Sequence, residues 1–432
     1  IKNEDFMAGK MRFMSPSNPN AKIINDGTIT AREGGLVALV APYVQNNGFI
    51  IAKYGTVAIA GANTAAIDLY GDNLIVFETP DELKKTIENS GTIEAGYVAM
   101  SISDAKKVVD SSINMNGIIK AQNMDTSGGK VILTGGNIKV SGTVDASGAQ
   151  GDGGNVKIIA DMKSGTLDFS GKIDIASKEA NGGFVETSGN SVKIADTASV
   201  NAKGKKYGEW LIDPNDYTIA ATGGDITGAT LSNALENASV TISTATQGHS
   251  GNGDIFVYDN ITWNANTVLT LNAERDINID SDITAHGATA GIALNYGASR
   301  NYYLYDGAKI TLDNVSGGAN QSVVIGGQNY TVLRNTDAIQ NITTTGLNGK
   351  YVMLTDMTVG GGGSFTPIGP DSDFTGTFDG FGHTLSNVVI DNSANTTTTG
   401  LFSIAGNGAV IKNITLQNPT VTGNRSEERR VG

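Results

Sequence analysis

One short phrase recurs along this chain: "GTITA" at Gly27, "GFIIA" at Gly48, "GTIEA" at Gly91, "GIIKA" at Gly117, "GTVDA" at Gly142 and "GKIDI" at Gly171. "ASVNA" at Ala198 and "SDITA" at Ser281 are weaker copies. After most copies comes a second phrase, as in "GGLVAL" from Gly34, "GTVAI" from Gly55, "GYVAM" from Gly96, "GGKVIL" from Gly128, "GGNVKI" from Gly153 and "GGFVET" from Gly182. Both alternate a β-branched or aliphatic residue with a small or polar one, the period of a strand with one buried face. Ile29, Ile93, Val144 and Ile173 are expected to point inward. Copies are mostly about 21 to 29 residues apart, with one double step of 43. Units that short cannot bury an apolar face alone and must stack. The predicted unit is two short strands, each opened by a glycine supplying φ > 0 at a corner. The fold class this implies is all-β: a right-handed parallel β-helix, a solenoid with short inserted helices, growing as a rod by roughly 4.8 Å per coil.

Two helices are expected. In "TPDELKKTI", Thr79 caps, Pro80 fits the first helical position and Glu82 completes a capping box; this excursion accounts for the double step. In "TLSNALENA", Leu231 and Leu235 share a face. Composition agrees with a thin aliphatic core: among 432 residues there are 56 glycines and only 6% aromatics, yet 39% are apolar. A net charge of −13 repels phosphate backbones, which argues against a nucleic-acid partner. With no cysteine, a disulfide framework, a thiolate metal site and a cysteine nucleophile are excluded. No apolar run is long enough to span a bilayer.

The stretch "IINDGTITAREGGLVALVAPYVQNNGFIIAKYGTVAIAGANTAAIDLYGD", the coils after it, "GEWLIDPNDYTIAATGGDITGATLSNAL" and "LTLNAERDINIDSDITA" carry a resemblance. Together they resemble filamentous haemagglutinin-type exoproteins, the large partner in two-partner secretion, over most of Ile23 to Ala285. "SFTPIGPDSDFTGTFDGFGHTLSNVVI" and "GLFSIAGNGAVIKNITL" resemble the glycine-rich GLUG repeats of bacterial surface proteins. "NPNA" at Asn18 is only superficially similar to the family's secretion signature. The expected division is 1–78, the later part of a secretion-domain-like β-helix; 79–206, coils with a helical excursion; 207–298, a segment containing "WLIDP"; 299–424, GLUG-like repeats; and 425–432, "RSEERRVG", a non-native tail. The start at Ile1 reads as that of a fragment. Trp210 is expected to cover the end or side of a stack while Asp213-Pro214 turns the chain.

No catalytic, cofactor-binding or metal residues are assigned. His249, His286 and His383 are scattered without zinc spacing. "GHSGNG" at Gly248 misses a nucleophile elbow, and Gly360 to Gly363 lacks the Lys-Ser/Thr of a phosphate loop. In "RDINIDSDI", Asp276, Asn278, Asp280 and Asp282 share one strand parity and Ile277, Ile279 and Ile283 the other. Such a row is read as a solvated outer face, with calcium the alternative. Asn-x-Ser/Thr sequons include those at Asn237, Asn260, Asn314, Asn341, Asn395 and Asn413. The resemblance implies a secreted or cell-surface adhesin without enzymatic activity, exported by an outer-membrane β-barrel transporter and attaching to a host glycan or protein. The alternatives are a β-helical polysaccharide-degrading enzyme, which needs acids and a base in one groove, and the stalk of a contact-dependent toxin.

Overall fold

The computed structural model describes residues 3–7, 10–13, 18, 20–62, 65–68, 75–76, 85–102, 111–244, 251–314, 320–342, 346–360, 364–370, 372–392 and 400–423. Strand is the dominant element and its sheets are mostly parallel. Two compact units are present, Ile1–Ile255 with Leu269–Arg275, and Phe256–Val268 with Asp276–Gly432.

In the first unit the repeated phrases become strands that pair in register with their counterparts one repeat away. Ile50, Ile93, Ile119, Val144, Ile173 and Val200 form one column of directly paired residues, all buried. The second phrase gives another, from Val37 through Val57, Val98, Val131, Val156, Val185, Trp210 and Val240 to Leu269. Ile29 is paired with Ile50 but only half-buried. A third parallel sheet was not legible as a phrase. It comprises Lys22–Asn25, Tyr43–Asn46, Lys85–Asn89, Ser111–Met115, Asn137–Val140, Thr166–Phe169 and Ser191–Ile194. The repeat therefore contains a further strand beyond the two phrases, which themselves run together as one continuous strand in Phe49–Gly61 and Thr92–Ser101. In six of its seven strands the third sheet runs into the first phrase across only two residues, the second being the corner glycine.

Those corner glycines do not supply a positive φ, although Gly34, which opens "GGLVAL", does, at +68°. Their backbones follow ordinary angles, and what excludes a side chain is the neighbouring repeat: a Cβ on Gly48 would lie 2.0 Å from Gly27 O, on Gly91 2.1 Å from Gly48 O, on Gly117 2.2 Å from Gly91 O and on Gly142 2.1 Å from Gly117 O. Beside this ladder runs one of asparagines. Asn25 Nδ2 donates to Asn46 Oδ1 at 2.7 Å, and Asn46 Nδ2 to Asn89 Oδ1 at 2.8 Å. All three are buried. The ladder ends at Met115, whose sulfur lies 3.8 Å from Asn89 Nδ2.

Two local expectations change. Lys85, Thr86 and Ile87, read as the end of a helix, lie in the strand Lys85–Asn89, because Ile87 pairs with Val44 and Ile113 in the apolar column of the third sheet. Tertiary pairing overrides local propensity here. Thr79, Pro80 and Glu82 lie outside the described residues, as do His249 and the tail 425–432. Trp210 is not a cover at the end of a stack. It occupies an inward position of the strand Glu209–Asp213, between Val185 and Val240, and is 1% exposed. Its indole N–H donates to Thr187 Oγ1 at 3.0 Å, and its ring meets Phe169 edge-on at 6.0 Å. The chain does bend after Asp213, at Asn215 and Asp216. The expected helix over Thr230 forms as Gly228–Leu235, capped by Thr227, with Leu231 and Leu235 buried.

The second unit repeats the arrangement with shorter strands. Ile261, Ile283 and Ile310 form a column, as do Trp263, Ala285 and Leu312. Further along, Thr331–Leu333, Lys350–Met353, Thr377–Asp379 and Val410–Lys412 pair in parallel. The core there turns aromatic, with Phe365, Phe374 and Phe378 packed among Leu333, Met353 and Leu385.

Candidate functional site

The acidic row of the second unit stands as its parity implies: Ile277, Ile279 and Ile283 are buried, and the polar residues between them face outward. The polar groups are held individually rather than gathered. Asp276 accepts from the Asn301 amide at 3.0 Å and lies 3.7 Å from an Arg300 guanidinium nitrogen. Asp282 accepts from the Lys309 amide at 2.8 Å. Asn278 Oδ1 takes the Tyr305 hydroxyl at 3.5 Å. Among the described residues, no group of three or more His, Asp or Glu is placed to hold a metal ion.

What sequence parity did not reveal is what stands on either side of Asn278 and Asp280. The strand Ile277–Ile279 lies between Ile255–Val257 and Tyr302–Leu304 in one sheet. Asn278 pairs with Tyr303. The Asp280 amide donates to Val257 O and the Tyr305 amide to Ile279 O, both at 2.9 Å. Tyr258, Asp280 and Tyr305 therefore follow one another across the outer face, as Phe256, Asn278 and Tyr303 do. Phe256 and Tyr258 stack at 5.7 Å with 19° between their planes; Tyr303 and Tyr305 stack at 6.0 Å and 28°. Tyr258, Tyr303 and Tyr305 are 49%, 41% and 43% exposed, the only exposed tyrosines among the described residues. Partial burial, then the charge of Asp306, raises the Asp280 carboxyl above its ordinary value. Burial, Asp280 and Tyr305 likewise raise the Tyr258 phenol. The signal in the sequence was the alternation in "IFVYDN" and "NYYLYDG", which puts Tyr258, Tyr303 and Tyr305 on the parity opposite their buried neighbours.

The remaining histidines are apart in role. His286 Nδ1 lies 2.7 Å from Asp313 Oδ1. His383 is buried, with Nε2 donating to Ile310 O at 2.9 Å and Nδ1 lying 3.1 Å from Asp356 Oδ1. Burial lowers its pKa, against the two acceptors that favour the charged ring. A buried polar cluster lies elsewhere in the second unit. Asp379 accepts from the Tyr302 hydroxyl, from Asn413 Nδ2 at 3.0 Å and from the Phe381 amide at 3.1 Å, with Lys412 Nζ at 3.5 Å. Burial, then Asp379, pushes the Tyr302 phenol well above its usual range. With Tyr302 and Asp379 both inaccessible, this cluster is a brace rather than a reaction site. It also engages both protons of the Asn413 amide, so a glycan on that sequon would remove one of the two hydrogen bonds they make.

In the first unit, an open groove of about 720 Å³ crosses successive repeats, lined by Gly129, Gly154, Gly183 and Gly208 along with Asp152, Glu209 and Lys130. Its floor is bare because a Cβ added to any of those glycines would lie 2.0–2.3 Å from a backbone oxygen of the previous repeat. Among the described residues no helix is long and apolar enough to cross a membrane. No protein-family model matches this sequence, and no curated protein does.

Proposed function

We propose that this chain is part of a secreted, surface-exposed adhesin of the filamentous haemagglutinin type, acting by attachment rather than turnover. Each unit is read as turns of a right-handed parallel β-helix. The in-register columns support that reading, as does the strong right-handed preference of parallel crossovers. In this proposal a β-barrel partner in the outer membrane exports the chain, and a host glycan or protein is its target. The observation that carries the reading is the repetition itself. Paired repeats bury one aliphatic column after another and leave outward faces on which many weak contacts can add through multivalency. The test is adhesion of beads coated with the chain to host cells and matrix. Beads should bind far more strongly than the soluble single chain; adhesion no greater than that of an inert protein of equal charge would refute it.

A second reading, a polysaccharide-degrading enzyme, draws on the groove of the first unit, which Asp152, Glu209 and Lys130 line, although Lys130 and Glu209 stand three paired strands apart, roughly 14 Å by the inter-strand spacing. These groups already have partners. Asp152 accepts from the Asn181 amide at 2.9 Å, Glu209 from the Thr241 hydroxyl at 2.8 Å, and Lys130 Nζ lies 5.5 Å from the centre of the Tyr97 ring. Depolymerisation of an acidic polysaccharide that is lost in Glu209→Gln would favour this reading over the first.

A further inference from the structure

We infer that the outer face carrying Phe256, Tyr258, Asn278, Asp280, Tyr303 and Tyr305 is a binding platform for a neutral glycan chain. The inference rests on the adhesin reading and gives it a site and a ligand class.

Exposed rings in near-parallel pairs are an uneven use of a scarce residue type. The chain is only 6% aromatic, and elsewhere its described tyrosines are at least half-buried. A tyrosine presents a rigid apolar face and a polar tip, contacting a partner at low cost in side-chain entropy. The apolar partner that such a face takes, while its rim keeps hydrogen-bonding, is the C–H face of a pyranose ring. Asn278 and Asp280 stand on the strand between the two ring pairs, offering an amide and carboxylate oxygens to the hydroxyls of a sugar crossing from one pair to the other. Tyr258 and Tyr305 are two strands apart, roughly 9.6 Å by the inter-strand spacing. A linear oligosaccharide lying across the strands can therefore meet both. The charge of the face decides the class. Asp280 lies at its centre and Asp306 close enough to perturb it, so sulfated or carboxylated sugars are repelled. A neutral chain is not, and its hydroxyls are donors suited to those carboxylate oxygens.

The experiment is titration of the whole chain with short linear β-1,4-glucan, mannan and N-acetylglucosamine oligosaccharides, with heparin oligosaccharides as the acidic comparison. Neutral oligosaccharides should bind. The Tyr258→Ala/Tyr305→Ala variant should lose affinity by roughly tenfold or more, while Tyr258→Phe/Tyr305→Phe keeps most of it; circular dichroism reports whether each variant folds. The platform is overturned if none of the neutral probes binds, if binding is indifferent to the alanine changes, or if heparin binds more tightly. It is also overturned if the alanine variant abolishes self-association of the chain without altering sugar binding, which assigns the face to a second copy. Bead adhesion separates this inference from the one beneath it. Adhesion that survives the alanine changes leaves the adhesin reading standing and the platform unsupported; oligosaccharide binding without any adhesion does the reverse.

Discussion

Gly27 and Gly117 open copies of the same phrase, yet their surroundings differ sharply. A Cβ on Gly117 would fall 2.2 Å from Gly91 O, whereas one on Gly27 meets nothing within 4 Å. The corner glycines are thus required by contact between repeats rather than by their own torsion angles. Gly117→Ala should cost about 2 kcal/mol through overpacking against backbone that has little room to yield, and Gly27→Ala no more than about 0.5 kcal/mol. Urea unfolding midpoints check this, and equal effects would contradict the close approach. A second residue-scale expectation concerns His383. Burial lowers its folded-state pKa, so as pH falls the unfolded chain takes up the proton first. The stability held by the neutral ring is complete above about pH 6.5, the usual histidine value, and is lost as pH drops through the lower folded-state value. Thermal midpoints measured from neutral to mildly acidic pH should fall more steeply for the native chain than for His383→Gln. Parallel curves would mean that the Asp356 and Ile310 acceptors cancel the effect of burial, and a shallower fall for the native chain that they outweigh it.

Among the elements, the third sheet is the one hidden in the sequence. Its first four strands have no glycine just before them, and most of its strands merge with the phrase that follows, so "IINDGTITA" reads as one run when it is two strands around a corner. The signal was nevertheless present two residues before the first three corner glycines, Gly27, Gly48 and Gly91, where Asn25, Asn46 and Asn89 recur. Once stacked, those side chains hydrogen-bond to one another inside the unit, away from water. Asn46 is the middle rung. Asn46→Ala removes the acceptor of Asn25 Nδ2 and the donor to Asn89 Oδ1 together, leaving buried amide groups without those partners. A loss of about 2 to 3 kcal/mol is expected, measurable by denaturant unfolding, with a smaller effect for Asn47→Ala on the exposed side of the same turn. A change below about 0.5 kcal/mol, the range of ordinary surface substitutions, would show that the ladder is decorative. The outward tyrosines were missed for a related reason. Tyr258 and Tyr305 both approach Asp280 only through pairing between strands far apart in sequence, and parity within a single strand cannot say which outward residues become neighbours.

For the whole molecule, alternation and repeat length were enough to anticipate the all-β class and its parallel pairing, because both follow from a period of two and units too short to stand alone. Charge is the other property legible at this scale. The net charge is −13, and outward cations are repeatedly answered by carboxylates: Lys157 Nζ lies 2.6 Å from Glu186, Lys193 Nζ 2.5 Å from Asp225 and Lys309 Nζ 2.8 Å from Asp356. A polyanion approaching such a surface meets pairs close to neutral against an overall negative field. At about 0.1 M salt, where fields extend roughly 10 Å, the chain should pass through heparin and DNA columns without retention, while a basic control protein is held. Lowering the salt should not create retention, since a longer range extends repulsion and attraction alike and the net field repels. Retention that weakens with added salt would reveal a basic stripe strong enough to dominate locally. Such a stripe would redirect the search for a partner from neutral sugars toward sulfated ones.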